Sequence, residues 1–285
     1  MINGQKVGRS GLIPKYFWFK ERKRFFMRFR PCIDLHGGKV KQIIGSTLTD
    51  NKDRAPATNF ETDQSASFFA GLYRNDGLWG GHVIMLGPGN ENAAREALRT
   101  FPMGLQVGGG ITPDNAVSFL DEGASHVIVT SFVFANGAVR WDHLDLLEKS
   151  VGKSRLVLDL SCRNAGGGYV IACDRWQTSS GVVLTKKLLV KLAGHCSEFL
   201  VHAIDVEGKL GGIDEGLVTF LADASPPLPV TYAGGIRSLD DLEKVCTLGE
   251  DHIDATIGSA LDIFGGLIKY KEVAAWHRKQ QKMDF

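Results

Sequence analysis

The sequence predicts a (β/α)8 TIM barrel, an α/β fold, built from two duplicated half-barrels, and three observations predict it. From residue 28 onward, short runs rich in Val, Ile and Leu alternate with longer stretches of helical period, the pattern of repeated βα units around a parallel sheet. The strand-like runs number eight, spread over a length that suits such a barrel. The chain also repeats itself: "PCIDL", holding Asp34, returns as "LVLDLS", holding Asp159, 125 residues later. "QVGGGITPDNAVSFLDEGASHVIVTS" (106–131) returns as "TYAGGIRSLDDLEKVCTLGEDHIDATIGS" (231–259), which sets Gly109 against Gly235 at an offset of 126. Two near-equal offsets argue that four βα units were duplicated. An open doubly wound sheet is the alternative, but it does not predict this symmetry.

The strands expected are 29–34, 82–86, 104–107, 126–130, 155–159, 198–204, 228–233 and 253–257. Helices are expected at 62–75, 91–101, 113–123 and 238–249. The third opens on Pro113 and an Asp, and the fourth has Ser238 as N-cap, Asp241 three residues on and Gly249 as its stop. The connections 35–61 and 160–183 are long for a compact domain, and both follow strands on the face where barrels place their chemistry.

Composition narrows the class. With 285 residues, 44% hydrophobic and 23% charged, the chain can bury a large core and is not of the disordered type. It has no run of 18 apolar residues, so no transmembrane helix and no membrane partner is expected. Cys32, Cys162, Cys173, Cys196 and Cys246 are scattered, without CxxC pairs or zinc-type spacing, and read as reduced core thiols. The first thirty residues carry nine Lys or Arg against Glu21 alone, leaving the rest of the chain net acidic. Residues 1–27 are therefore set apart as a basic extension, read as a solvated arm, a targeting remnant or a nucleic-acid or anionic-surface contact, and 28–285 as a single barrel domain.

Asp34 is the first oddity, a carboxylate at the end of an apolar strand and just ahead of a His-Gly-Gly turn. Such a group costs stability unless it is paired or has a task. Asp159 stands at the corresponding place four units later, so an eight-stranded barrel sets the two facing each other across its mouth. That placement suits general acid and base catalysis on one substrate; structural pairing with Lys or Arg is the alternative. The runs "GGG" (108–110) and "AGG" (233–235) each end a strand before a helix, and "VTS" and "IGS" follow one unit later. Glycines admit an anion close to the backbone, and helix starts offer N–H groups to phosphate oxygens. Two copies in symmetric positions suggest two phosphates, one at each end of a long substrate, with tight packing as the alternative for a lone Gly-Gly pair. Trp176 in "DRWQ" is a candidate stacking partner for a flat heterocycle, with a lid anchor as the alternative. His202 and Asp205 in "VHAIDVEG" are candidate substrate contacts or supports for them.

Taken together, "PCIDLHGGKVKQI", "LQVGGGI", "ASHVIVTS", "LVLDLSCR", "DRWQ", "FLVHAIDVEGKLGGID", "VTYAGGI" and "IGSALDIFGG" resemble the phosphoribosylformimino-aminoimidazole-carboxamide ribotide isomerases of histidine biosynthesis. The resemblance covers residues 28 to about 280 and is of the eukaryotic, plant-type form. It implies a duplicated barrel performing an Amadori rearrangement without metal or other cofactor, Asp34 as general base and Asp159 as general acid, with Gly109, Gly110 and Ser131 at one phosphate site of a small bis-phosphorylated substrate and Gly234, Gly235, Gly258 and Ser259 at the other. It further implies the plastid stroma for a plant-type chain, or else the cytoplasm. No nucleic-acid partner is expected, and the chain is expected to be monomeric. Two positions depart from the microbial pattern: His202 stands where many members have Thr, and Thr112 where many have Arg, while Arg237 is kept in the second half. The sister cyclase barrel of the same pathway shares both Asp residues and both phosphate sites, although "DRWQ" and "VHAIDVEG" favour the isomerase. A non-catalytic phosphate-binding barrel would be expected to have lost one Asp or one glycine pair, and neither is lost.

Overall fold

Side chains of a strand alternate between its two faces, so every second residue of a barrel strand points into the lumen and the others pack under the helices. The computed structural model of the protein describes residues 27–43, 57–173 and 178–282, and of the basic extension only Met27 falls within them. The first half runs β1 (Cys32–His36), β2 (Lys39–Ile43), β3 (Thr58–Glu61), α1 (Ala66–Asn75), β4 (Gly81–Met85), α2 (Glu91–Thr100), β5 (Leu105–Gly108) and α3 (Pro113–Asp121). It continues through β6 (Val127–Val129), the small hairpin β7 (Phe134–Ala135) and β8 (Ala138–Val139), and α4 (Trp141–Val151). The second half runs β9 (Leu156–Asp159), β10 (Cys162–Asn164), β11 (Tyr169–Cys173), β12 (Thr178–Leu184), α5 (Lys186–Leu192), β13 (Glu198–His202) and α6 (Glu215–Ala224). It closes with β14 (Val230–Ala233), α7 (Leu239–Leu248), β15 (Ile253–Thr256) and α8 (Tyr270–Lys282).

Eight of these strands pair in parallel in the order β1-β4-β5-β6-β9-β13-β14-β15. The chain just ahead of β1 closes the ring, because Arg30 N–H donates to Ala255 O at 2.8 Å and Ala255 N–H donates to Arg28 O at 3.0 Å. The sheet is therefore a barrel, and the open doubly wound alternative is excluded. All eight expected strands are present. β1 and β9 are the first and fifth staves, which places them across the barrel from each other.

Three expectations are revised. Asp34 does not end its strand, because β1 runs on to His36 and turns back antiparallel into β2. The turn is possible because Gly37 and Gly38 both take positive φ, 61° and 77°, as a two-residue hairpin of the primed type requires. The second connection is likewise no plain loop: β10, β11 and β12 form an antiparallel sheet of their own above the mouth. The repeat register also shifts. A Cβ on Gly109 would meet Met85 O of the neighbouring stave at 2.1 Å, and one on Gly234 would meet Ala203 O beside the neighbouring stave at 2.9 Å. Gly234, not Gly235, is thus the counterpart of Gly109, and the offset becomes the same 125 that relates Asp34 to Asp159.

Helix starts follow the same logic with one inserted residue. Thr112 caps α3, its own N–H reaching Asn115 Oδ1 at 2.9 Å in a capping box, and Ser238 caps α7 by accepting from Asp241 N–H at 3.1 Å. Thr112 therefore corresponds in role to Ser238, and Arg237 is the extra residue of the second half. Gly249 stops α7 without a left-handed φ; a Cβ there would stand 2.6 Å from Val245 O, so close approach is what demands glycine.

The core has two parts. Outward residues such as Ile33, Leu35, Val107 and Val201 are buried beneath the helices, while Ile84, Ile128, Val157, Leu200 and Ala233 meet inside the lumen. Below that apolar layer the barrel bottom is polar and internally paired. Arg30 bonds Glu198 at 3.0 Å and Asp254 at 2.7 Å, and Gln106 and Thr231 each donate to Glu198 at 3.0 Å. Burial opposes the charge on Arg30, but Glu198 and Asp254 outweigh it and leave the guanidinium more firmly protonated than usual.

Candidate active site

Arg30, Cys32 and Asp34 share the lumen face of the first stave, which answers why an apolar strand carries a carboxylate: Ile33 and Leu35 supply the core face, and Asp34 lines the cavity. Above the apolar layer lies a cavity of about 530 Å³. Asp34, Asp159 and His202 line it, and so do Gly109, Gly110 and Ser131 on one side and Gly234, Gly235, Gly258 and Ser259 on the other. The size suits a small elongated ligand. The structure brings these ten residues together around one space.

Two other candidates stand apart. Asp205 is exposed and accepts from Asn164 N–H at 2.8 Å, away from the cavity lining. Trp176 lies outside the described residues.

Among the cavity residues that escaped the sequence reading are His82, Cys32 and Glu207. His82 had a signal, since a His on the lumen parity of "GHVIM" is as odd as Asp34 in its own strand. Glu207 had none, because strand parity fails beyond β13. There Val206 N–H and Glu207 N–H both bond Ala203 O at 3.1 Å, and the turn brings Glu207 rather than Asp205 to the cavity.

The electrostatics divide the site. Burial, then the facing Glu207 carboxyl, raises Asp34 to about 7; the His202 charge and a hydrogen bond from Gln42 pull the other way. Glu207 is itself raised by burial, against the pull of His202. Burial opposes the charge on His202, but Asp159, by charge and hydrogen bond, with Glu207 and Asp34, raises it to about 9. Its Nδ1 lies 3.2 Å from Asp159 Oδ1, which also accepts from Ser161 Oγ at 2.8 Å. His82, edge-to-face with His202 at 6.3 Å between ring centres, is lowered to about 3 by burial and then by the His202 charge. It is neutral near pH 7. Cys32 is pushed well above its ordinary range by burial and then by Asp34 and Glu207, so its thiol is not a nucleophile there. One face of the cavity thus holds a carboxyl that titrates near neutrality, and the opposite face holds a carboxylate–imidazolium pair. A substrate between them can lose a proton on one side and gain one on the other.

A family model described as a histidine biosynthesis protein matches residues 28–268. The chain belongs to this histidine biosynthesis family. A chloroplastic relative from Medicago truncatula, named a 1-(5-phosphoribosyl)-5-((5-phosphoribosylamino)methylideneamino)imidazole-4-carboxamide isomerase, is 58% identical over 260 residues, spanning 90% of this chain and 83% of its own length. Isomerases of the same name from Yarrowia lipolytica and Saccharomyces cerevisiae are 48% and 46% identical, covering 90% and 89% of this chain and 99% of their own lengths. Within the histidine biosynthesis family match lie the cavity, both carboxylates and both glycine sites. Asp145, Glu148 and His195 gather elsewhere among the described residues, away from the cavity, and a 2.9 Å hydrogen bond from His195 to Glu148 joins two of them.

Proposed function

We propose that the protein is an aldose–ketose isomerase of histidine biosynthesis, converting the bis-phosphorylated aminoaldose named by its relatives into the aminoketose by an Amadori rearrangement. The observation that carries the reading is the placement of Asp34 and Asp159 on opposed staves of one cavity flanked by paired glycine sites, in a chain whose relatives bear the isomerase name. That name favours the isomerase over the sister cyclase.

In this reading the two glycine sites hold the terminal phosphates through backbone N–H groups, and the aminoaldose spans the mouth. Asp159, supplied with a proton by His202, protonates the ring oxygen of the phosphoribosyl group. The ring C–O bond breaks and leaves a Schiff base at the anomeric carbon. Asp34 then removes the proton from the adjacent carbon, giving an enol. The enol loses its hydroxyl proton, the anomeric carbon gains one, and the ketose results. The proton gained by Asp34 and the one lost by the acid pair balance through solvent, so the step is a net isomerisation. Trp176 is the stacking partner for the imidazole carboxamide. We read the protein as a monomer and place it in the plastid stroma, the latter supported by the chloroplastic relative.

The test is to incubate the purified protein with the aminoaldose and follow the ketose. No turnover in a folded sample defeats the enzyme reading, and imidazole glycerol phosphate formed only with added ammonia selects the cyclase.

A further inference from the structure

Gln42 does not line the cavity, yet its single amide touches both halves of the site. It is 3% exposed on β2, opposite Phe60 of β3, beside a register shift between Gln42 and Ile43 that re-aims the strand. A buried amide at such a position costs stability unless both ends find work. Its Nε2 donates to Asp34 Oδ2 at 3.0 Å, and among the described residues this is the hydrogen bond that Asp34 receives. Its Oε1 lies against the loop after the eighth stave: a Cβ on Gly258 would stand 2.5 Å from it and 3.6 Å from Cys32 Sγ. Gly258 has no left-handed φ to explain its glycine, and a side chain there would crowd the Gln42 amide as well as the cavity it lines.

We propose that Gln42 is a positioning residue, whose amide orients Asp34 toward the substrate and ties that orientation to the Gly258–Ser259 loop. The inference rests on the isomerase reading for its catalytic consequence, though its geometry does not. An anion seated on the loop and the base it serves then share one neighbour, the Gln42 amide, which bonds the base and packs against the loop. A hydrogen bond to the ionised carboxylate also favours that form. The other groups facing Asp34 are Cys32 on its own strand, Tyr73 from α1, His202 at the end of β13 and Glu207 in the turn beyond it. None of them replaces the amide as a neutral donor aimed at Oδ2.

The experiment titrates the Asp34 carboxyl by carbon NMR in protein labelled at aspartate, with the signal assigned through Asp34→Asn, and records kcat and KM across the same pH range. Gln42→Leu should move the Asp34 midpoint up by about one pH unit and lower kcat near neutrality roughly tenfold, with KM nearly unchanged. Gln42→Met, closer in shape, is the substitute should Gln42→Leu not fold. Gly258→Ala, which displaces the amide without touching Asp34, should move the midpoint in the same direction. An unshifted midpoint in the folded Gln42 variant, or a loss confined to KM, overturns the proposal. A shift in the Gln42 variant with none in Gly258→Ala overturns the link to the loop. Absence of isomerase turnover in the unmodified protein would sink the functional reading instead, and leaves the titration readable.

Discussion

His202 Nδ1 stands 3.2 Å from Asp159 Oδ1, so the fifth and sixth staves present an imidazolium and a carboxylate as one unit opposite Asp34. With His202 held to about 9 and Asp34 to about 7, the interval between those values is where one side can take a proton while the other still holds one. kcat/KM should rise with an apparent midpoint near 7 and fall with one near 9, the two belonging to the coupled site rather than to isolated groups. Steady-state rates from pH 5 to 10 check this, and a flat profile across that range would refute it. In Asp159→Asn the residual activity should lose its alkaline limb to lower pH, because the charge that holds the proton on His202 is gone.

Asp34→Asn should lower turnover by about three orders of magnitude and leave KM nearly unchanged, as for a group acting in the transition state. It should also stabilise the fold at alkaline pH. The folded-state value of Asp34 lies above its ordinary value of 3.8, so ionisation works against folding. That penalty is absent below about pH 4, grows up to about 7 and persists above it. Because Asp34 is partly open to the cavity, the gain in Asp34→Asn is set at about 1–2 kcal/mol. Thermal melts at pH 5 and pH 8 should therefore show the variant gaining more at the higher pH. Equal gains at both would contradict the burial argument.

Three glycine sites should respond differently to one added methyl. Gly109 and Gly235 have φ of +94° and +75°, and a Cβ on either would stand 2.1 Å from a backbone oxygen, that of Met85 or Gly212. Gly109→Ala and Gly235→Ala should each cost about 3 kcal/mol or more, since backbone cannot give way as a side chain can. Gly110 has φ of +71° but open space around its Cβ position. Gly110→Ala should cost only about 1 kcal/mol and act chiefly by raising KM, because its methyl enters the cavity. Denaturant midpoints and KM values for the three variants separate the cases; equal stability losses would show that backbone strain alone decides.

Arg30→Met should destabilise the barrel by about 3–5 kcal/mol, because Glu198 would keep a buried charge with no cation and Asp254 would retain only Arg28. Adding Glu198→Leu should recover part of the loss. The turnover of the folded fraction should stay within about twofold, since an apolar layer separates this network from the cavity. Chemical denaturation of the single and double variants is the check. A double variant no more stable than the single one would show that Glu198 is not the strained partner.

The eight staves, four of the helices and the duplication could be read along the chain, because these follow from local periodicity, capping chemistry and internal repetition. Asp34, Asp159 and the glycine runs were legible for the same reason: each is a residue type that its local pattern does not favour. Tertiary structure decided what depends on groups distant in the chain. The contact of Gly109 with the stave before it, matched by Gly234, showed which glycine of each run the backbone approach requires. The turn after β13 exchanged Asp205 for Glu207 at the cavity, since alternation along a strand stops predicting direction once the strand ends. The titration of Asp34 and His202 was also decided there, because burial and the fields of facing carboxyls arise only when staves from both halves close into one ring. Gln42 belongs with these: along the chain it is one polar residue in a short strand, and only the hairpin carries it to Asp34 and Gly258.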